Sequence, residues 1–134
     1  MDLPTIAQET EAKDYFTKAD GIEYAGKHLL LDIWGASELD NQVLLKKVLE
    51  EAVEAAGATL LHIHIHQFTP FGGLSGTAIL AESHINVHTW PERNFAAFDV
   101  FMCGKAQPEK VEQVIADAFH PERIEVELHL RGKI

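Results

Sequence analysis

The sequence predicts an α+β domain: a two-layer sandwich of a mostly antiparallel sheet with two helices on one face. Two observations carry this. Residues 43–56 and 111–119 repeat apolar side chains at helical spacing. Around them run segments that alternate apolar and polar residues, or short apolar runs closed by glycine and turn residues. The order reads β-α-β-β-β-β-α-β, and the length suits one domain, 1–134. Helices on a single face leave the other sheet face bare. A homodimer, two-fold and sheet against sheet, is expected to cover it.

Residues 1–25 are polar and aperiodic and read as a loose N-terminal arm, with one helical turn around Glu9–Thr17. Lys27–Gly35 is an apolar strand ended by glycine. Asp40 or Asn41 caps the first helix, whose apolar face is Val43, Leu44, Val48, Leu49, Ala52, Val53 and Ala56. Gly57 suits a left-handed stop. Thr59–Phe68 alternates, with Leu61, Ile63 and Ile65 on one face and His62, His64, His66 and Phe68 on the other. Thr69–Gly73 is a loop by composition. Two short strands then flank Ala81-Glu82-Ser83-His84. Pro91–Asn94 is a turn, and Phe95–Met102 is a strand. Glu109–Phe119 is the second helix, with Val111, Val114, Ile115 and Phe119 inward. Arg123–Leu130 alternates again and closes the sheet.

Against 11 Lys and Arg stand 21 Asp and Glu, a formal charge of −10. Such a chain lacks the basic face that nucleic acid requires, and it attracts cationic rather than anionic substrates. One cysteine excludes an internal disulfide and a CxxC metal cage, and it suits a reduced, cytoplasmic compartment. The first thirty residues lack a basic segment followed by an apolar one, so no signal peptide is expected. No apolar run is long enough for a membrane span, so no membrane partner is expected.

Three constellations invite chemistry. His62, His64 and His66 point to one side of a strand and resemble a metal ligand set, but no clear further ligand accompanies them. An unprocessed His-rich metal-binding protein is the reading they support; a polar stripe is the plainer one, and no metal is expected. Glu82-Ser83-His84 with His88 suggests a hydrolase, yet no G-x-S-x-G elbow surrounds the serine. Cys103 ends a strand, where a thiol is either buried filler or a proton donor.

The combination is more specific than its parts. L-S-G at 74–76, A-E-S-H at 81–84, H-T-W-P-E at 88–92 and D-V-F-x-C-G at 99–104 follow in order, preceded by GKHLLLDIWG at 26–35 and HQFTPFGG at 66–73. This set resembles the short prokaryotic S-adenosylmethionine decarboxylase proenzyme, a self-processing pyruvoyl enzyme.

The resemblance implies that Ser83 attacks the Glu82 carbonyl, that the chain splits into 1–82 and 83–134, and that Ser83 becomes a covalently bound pyruvoyl cofactor. Ser75 and His88 match the family's processing serine and histidine. Cys103 matches its proton donor. Phe68 matches the family's substrate-binding phenylalanine, where an aromatic face suits both a sulfonium and a purine. Trp90 and Glu92 are further substrate-binding candidates, Glu92 for the ribose hydroxyls. The implied substrate is S-adenosylmethionine and the implied pathway is spermidine and polyamine synthesis. Arginine or ornithine is the alternative substrate. Two positions depart from the family pattern. F-T-P-F-G-G-L-S-G has one residue more between Phe68 and Ser75 than the usual F-x-P-x-G-V-S-G, and Ala36 stands where many relatives carry cysteine.

Overall fold

Period-two burial shapes the inner strands of the sheet, 26–34, 74–80, 83–90 and 95–103. A computed structural model describes residues 16–134. Its elements are β1 (Thr17–Ala19), β2 (Ile22–Tyr24), β3 (Gly26–Trp34), α1 (Gln42–Ala56), β4 (Leu60–Gln67), β5 (Leu74–Leu80), β6 (Ser83–Trp90), β7 (Phe95–Cys103), α2 (Val111–Phe119) and β8 (Arg123–Arg131). Strands β3 to β8 form one sheet in the order β4-β5-β6-β7-β3-β8. Every pairing in it is antiparallel, beyond the mostly antiparallel sheet expected. Strands β4 to β7 form a meander, and β3 is inserted between β7 and β8.

One sheet face packs on both helices. Leu29, Leu31 and Ile33 of β3 join Ile85 and Val87 of β6 and Phe98 and Val100 of β7 there, all buried. Strict alternation puts these side chains on one side, and a register slip of one residue would expose them all. From the helix layer Leu45, Val48 and Leu49 of α1 and Val111, Ile115 and Phe119 of α2 meet them.

Helix α1 begins where Asn41 Oδ1 accepts the Leu44 N–H at 3.0 Å. It ends in a Schellman turn. Gly57 has φ 73°, its N–H donates to Glu54 O, and the Ala58 N–H donates to Val53 O.

Four details of the sequence reading are corrected. Val43 is 82% exposed and Leu45 takes its place on the buried stripe, because the contact face is centred one position later. Leu61 does not join Ile63 and Ile65. The β4–β5 register slips between Leu60 and His62, which leaves Leu61 as a bulge residue, 63% exposed. Part of the loose arm is ordered. Residues 17–24 form the hairpin β1–β2, whose Asp20-Gly21 turn has positive φ at both positions, as a type I′ turn requires. Thr17 opens a strand rather than closing a helical turn; the rest of Glu9–Thr17 up to residue 15 lies outside the described residues.

Thr89 is the one buried polar side chain among the described residues. Its hydroxyl accepts the Leu74 N–H at 2.9 Å and donates to Leu39 O at 2.8 Å, joining the starts of β5 and α1 to the end of β6. Replacing it with valine strands a buried N–H and a buried carbonyl. Thr89→Val is expected to lose about 2 kcal/mol, read from urea denaturation midpoints; an unchanged midpoint would contradict this role.

Candidate active site

The expected site residues gather at two ends of the β5–β6 hairpin. At one end Ala81 and Glu82 form the tight connection, with Leu80 and Ser83 paired across it. Neither connecting residue has a positive φ; that conformation falls on Ser83, at φ 145°. An L-residue held there costs roughly 1–3 kcal/mol and persists only where its surroundings enforce it.

The enforcing contacts lie on Glu82. Its carbonyl oxygen accepts the Cys103 N–H at 3.0 Å and the Cys103 thiol at 3.0 Å. Its side chain is held by Thr59, whose N–H donates to Oε1 at 2.8 Å and whose hydroxyl donates to Oε2 at 3.1 Å. The Glu82–Ser83 carbonyl is thus polarised by two donors. The sequence brings them there because β7 pairs with β6 so that Met102 faces Ser83, leaving Cys103 opposite Glu82.

On the open sheet face beside Ser83, Arg131 donates to His28 Nδ1 at 3.1 Å and His28 Nε2 contacts Asp99 Oδ1 at 2.5 Å. Because a guanidinium only donates, the His28 proton sits on Nε2, toward the carboxylate. His84 Nε2 is 3.6 Å from the same Asp99 oxygen and has no hydrogen-bond partner. Both imidazoles lie against the Phe101 ring.

At the other end Ser75 and His88 face each other on β5 and β6 and share a hydrogen bond of 2.8 Å. Phe68, Trp90 and Glu92 line one pocket of about 190 Å³ with Phe71 and Gly73. The Phe68–Ser75 segment forms a closed loop: the Gly72 N–H returns to Phe68 O and the Phe68 N–H reaches Gly73 O.

The two ends do not meet within one chain. Four residues of β6 lie between Ser83 and His88, which sets them about 17 Å apart at strand rise.

Residues 27–132 match the family model described as S-adenosylmethionine decarboxylase. The chain belongs to the S-adenosylmethionine decarboxylase family.

The family's relatives agree. The S-adenosylmethionine decarboxylase proenzyme of Thermomicrobium roseum is 40% identical over 110 residues, covering 81% of this chain and 95% of the relative. That of Methanococcus aeolicus is 43% identical over 108 residues, covering 78% and 92%. The crystal structure of the adenosylmethionine decarboxylase from Aquifex aeolicus superimposes with a TM-score of 0.75 at 35% identity, covering 83% of this chain and 93% of that one. The α+β sandwich and the decarboxylase class are therefore those the motifs implied.

Within this decarboxylase fold the histidine stripe lies on edge strand β4, and no group of three ligating side chains is assembled for a metal among the described residues. Thr59 and Arg131 lie outside the quoted motifs, while His28 and Asp99 lie inside two of them, GKHLLLDIWG and D-V-F-x-C-G, with no role assigned from the sequence. The contacts of these four span 23 to 103 positions, and no local pattern pairs them.

A groove of about 580 Å³ crosses the open face beside His88, lined by Asp32, Asp99, Glu125 and Glu127 among others. Burial, and then the charges of Glu125 and Glu127, raise the Asp32 carboxyl above its ordinary 3.8. The native state therefore holds this proton more tightly than the unfolded state does. The Asp32 charge opposes folding as pH rises above that range, and the penalty disappears below it. Asp32→Asn is expected to raise the urea midpoint at about pH 7 and to give no gain at about pH 3. Equal midpoints at neutral pH would count against the repulsion.

Proposed function

We propose that the chain cuts itself between Glu82 and Ser83, turns Ser83 into a pyruvoyl group, and uses it to decarboxylate S-adenosylmethionine for polyamine synthesis. The carrying observation is the Glu82 carbonyl under two Cys103 donors, joined to a serine at φ 145°.

Ser83 Oγ adds to the Glu82 carbonyl carbon and the hydroxyl proton passes to the departing nitrogen, so the amide becomes an ester with a free amine. Charge gathers on the Glu82 oxygen during this shift, and the two Cys103 donors stabilise it there. Release of the φ strain favours the same step. A base then removes the Ser83 Cα proton and Glu82 leaves as a carboxylate. The resulting dehydroalanine tautomerises, and water replaces its nitrogen, which departs as ammonia. The products are chains 1–82 and 83–134.

The ketone so formed supplies the electron sink that loss of carbon dioxide requires. Cys103, beside the new chain start, is the group that returns a proton to the substrate carbon. Phe68 and Trp90 offer aromatic faces to the sulfonium and the adenine, and Glu92 offers a carboxylate to the ribose hydroxyls. The acidic groove attracts a cation toward the same face.

His88 and Ser75 act in this scheme from a second copy. Their hydrogen bond opens onto the sheet face that no helix covers. A two-fold axis lying between the facing sheets and running across the strands sets the Ser83 end of one copy over the His88 end of the other, completing two sites per homodimer. A cytoplasmic location accompanies this reading; among the described residues no helix is long and apolar enough to cross a membrane.

A second substrate class has one observation in its favour. The longer loop between Phe68 and Ser75 borders the proposed substrate pocket, and arginine and ornithine are cations too.

Purified protein is expected to show two chains by intact mass, the heavier ending at Glu82, and Ser83→Ala to remain whole and inactive. An unbroken chain that decarboxylates would end the proposal. Carbon dioxide release should occur with S-adenosylmethionine and not with arginine or ornithine; turnover of an amino acid alone reverses the substrate assignment. Ser83→Ala and His88→Ala, each inactive alone, should regain activity when co-expressed, since one site of the mixed dimer is intact. No recovery would place both residues in one copy's site.

A further inference from the structure

Cys103 is only one of two residues that fix Glu82. The other is Thr59, in the link between α1 and β4, and no motif of the sequence includes it. Three hydrogen bonds join it to the turn. The Ala81 N–H donates to Thr59 O at 3.0 Å, the Thr59 N–H donates to Glu82 Oε1 at 2.8 Å, and the Thr59 hydroxyl donates to Glu82 Oε2 at 3.1 Å. Each oxygen of the carboxylate thus has its own donor on a single residue.

We propose that Thr59 is a positioning residue for self-cleavage, gripping the Glu82 carboxylate so that the scissile peptide stays strained. The inference rests on the self-cleavage reading above. With the Glu82 carbonyl fixed on Cys103 and its side chain fixed on Thr59, residue 82 has no freedom to rotate. The hairpin then closes through Ser83, the residue found at φ 145°. Strain of this kind survives only while the groups around it over-determine the backbone. Without the Thr59 hydroxyl the turn can relax, carrying the carbonyl off its two donors.

The grip has an electrostatic side as well. Negative charge builds on the Glu82 carbonyl oxygen during the acyl shift, and the Glu82 carboxylate is the nearest fixed negative group along the chain. Thr59 ties that carboxylate to the α1–β4 link, while Cys103 holds the carbonyl oxygen. A freed carboxylate can swing onto the carbonyl side and oppose the developing charge.

The test follows chain cleavage over time in cell-free synthesis of the full chain, with labelled product resolved on denaturing gels. Thr59→Val keeps the shape and the backbone donor and removes the hydroxyl. It is expected to slow cleavage roughly tenfold, the lower end of the effect of one hydrogen bond to a charged group. Thr59→Ser restores the hydroxyl and should cleave within about twofold of the natural chain. Because the effect passes through Glu82, Thr59→Val should cost much less in a Glu82→Gln background than in the natural one. Unchanged cleavage in Thr59→Val overturns the proposal. So does an equal fold-loss in both backgrounds, or a Thr59→Ser chain as slow as Thr59→Val. These last two comparisons decide the matter even where Thr59→Val folds poorly. If the natural chain itself remains whole, the self-cleavage reading falls, and this inference with it; if it cleaves and the variants cleave alike, only the Thr59 role is lost.

Discussion

The Glu82 carbonyl oxygen shared by the N–H and the thiol of Cys103 is the contact on which this structure turns. A strand carbonyl ordinarily accepts one ladder bond, and here the end of β7 supplies a second donor to the same atom. The contact exists only if β6 and β7 hold their register with Ser83 opposite Met102. That register is fixed by Ile85, Val87, Phe98 and Val100, since a shift of one residue turns all four out of the core. The core thus does more than hold the sheet together. It sets, to one residue, which side chain stands over the peptide between Glu82 and Ser83.

The remaining machinery is distributed by the same alternation. Even-numbered residues of β6 face the open side of the sheet, so His84, Asn86, His88 and Trp90 form a row there. His84 stands 3.6 Å from Asp99, beside the Asp99–His28–Arg131 network at one end, and His88 shares the Ser75 hydrogen bond at the other. Within one protomer these two clusters are separated by most of the length of a strand. Charge follows this division: carboxylates from β3, β7 and β8 crowd the middle of the open face, where Asp32 is held above its ordinary range.

Much of this was legible in the sequence because burial alternates so regularly. The strand segments, both helices, the Asn41 cap and the Gly57 stop follow from local pattern and turn chemistry. Leu61 was misplaced because hydropathy alternates unbroken through a register slip that only the partner strand reveals. Val43 was misplaced because neighbouring leucines and valines permit the helical stripe to be centred one residue either way. The Asp20-Gly21 signal of the first hairpin was present, but three-residue strands give alternation too little length to register. At the site, the order of motifs exposed Glu82, Ser83 and Cys103. Thr59 stayed hidden, because a threonine in a link has no pattern and its partner lies 23 residues on.

The insertion of β3 between β7 and β8 has a consequence for a chain cut after Glu82. Strand β3 belongs to the first fragment, while its neighbours on both sides belong to the second. The fragments are therefore interleaved like the fingers of clasped hands. Neither can drift away without tearing a central strand from both flanks, so severing the backbone liberates a new terminus and leaves the assembly whole.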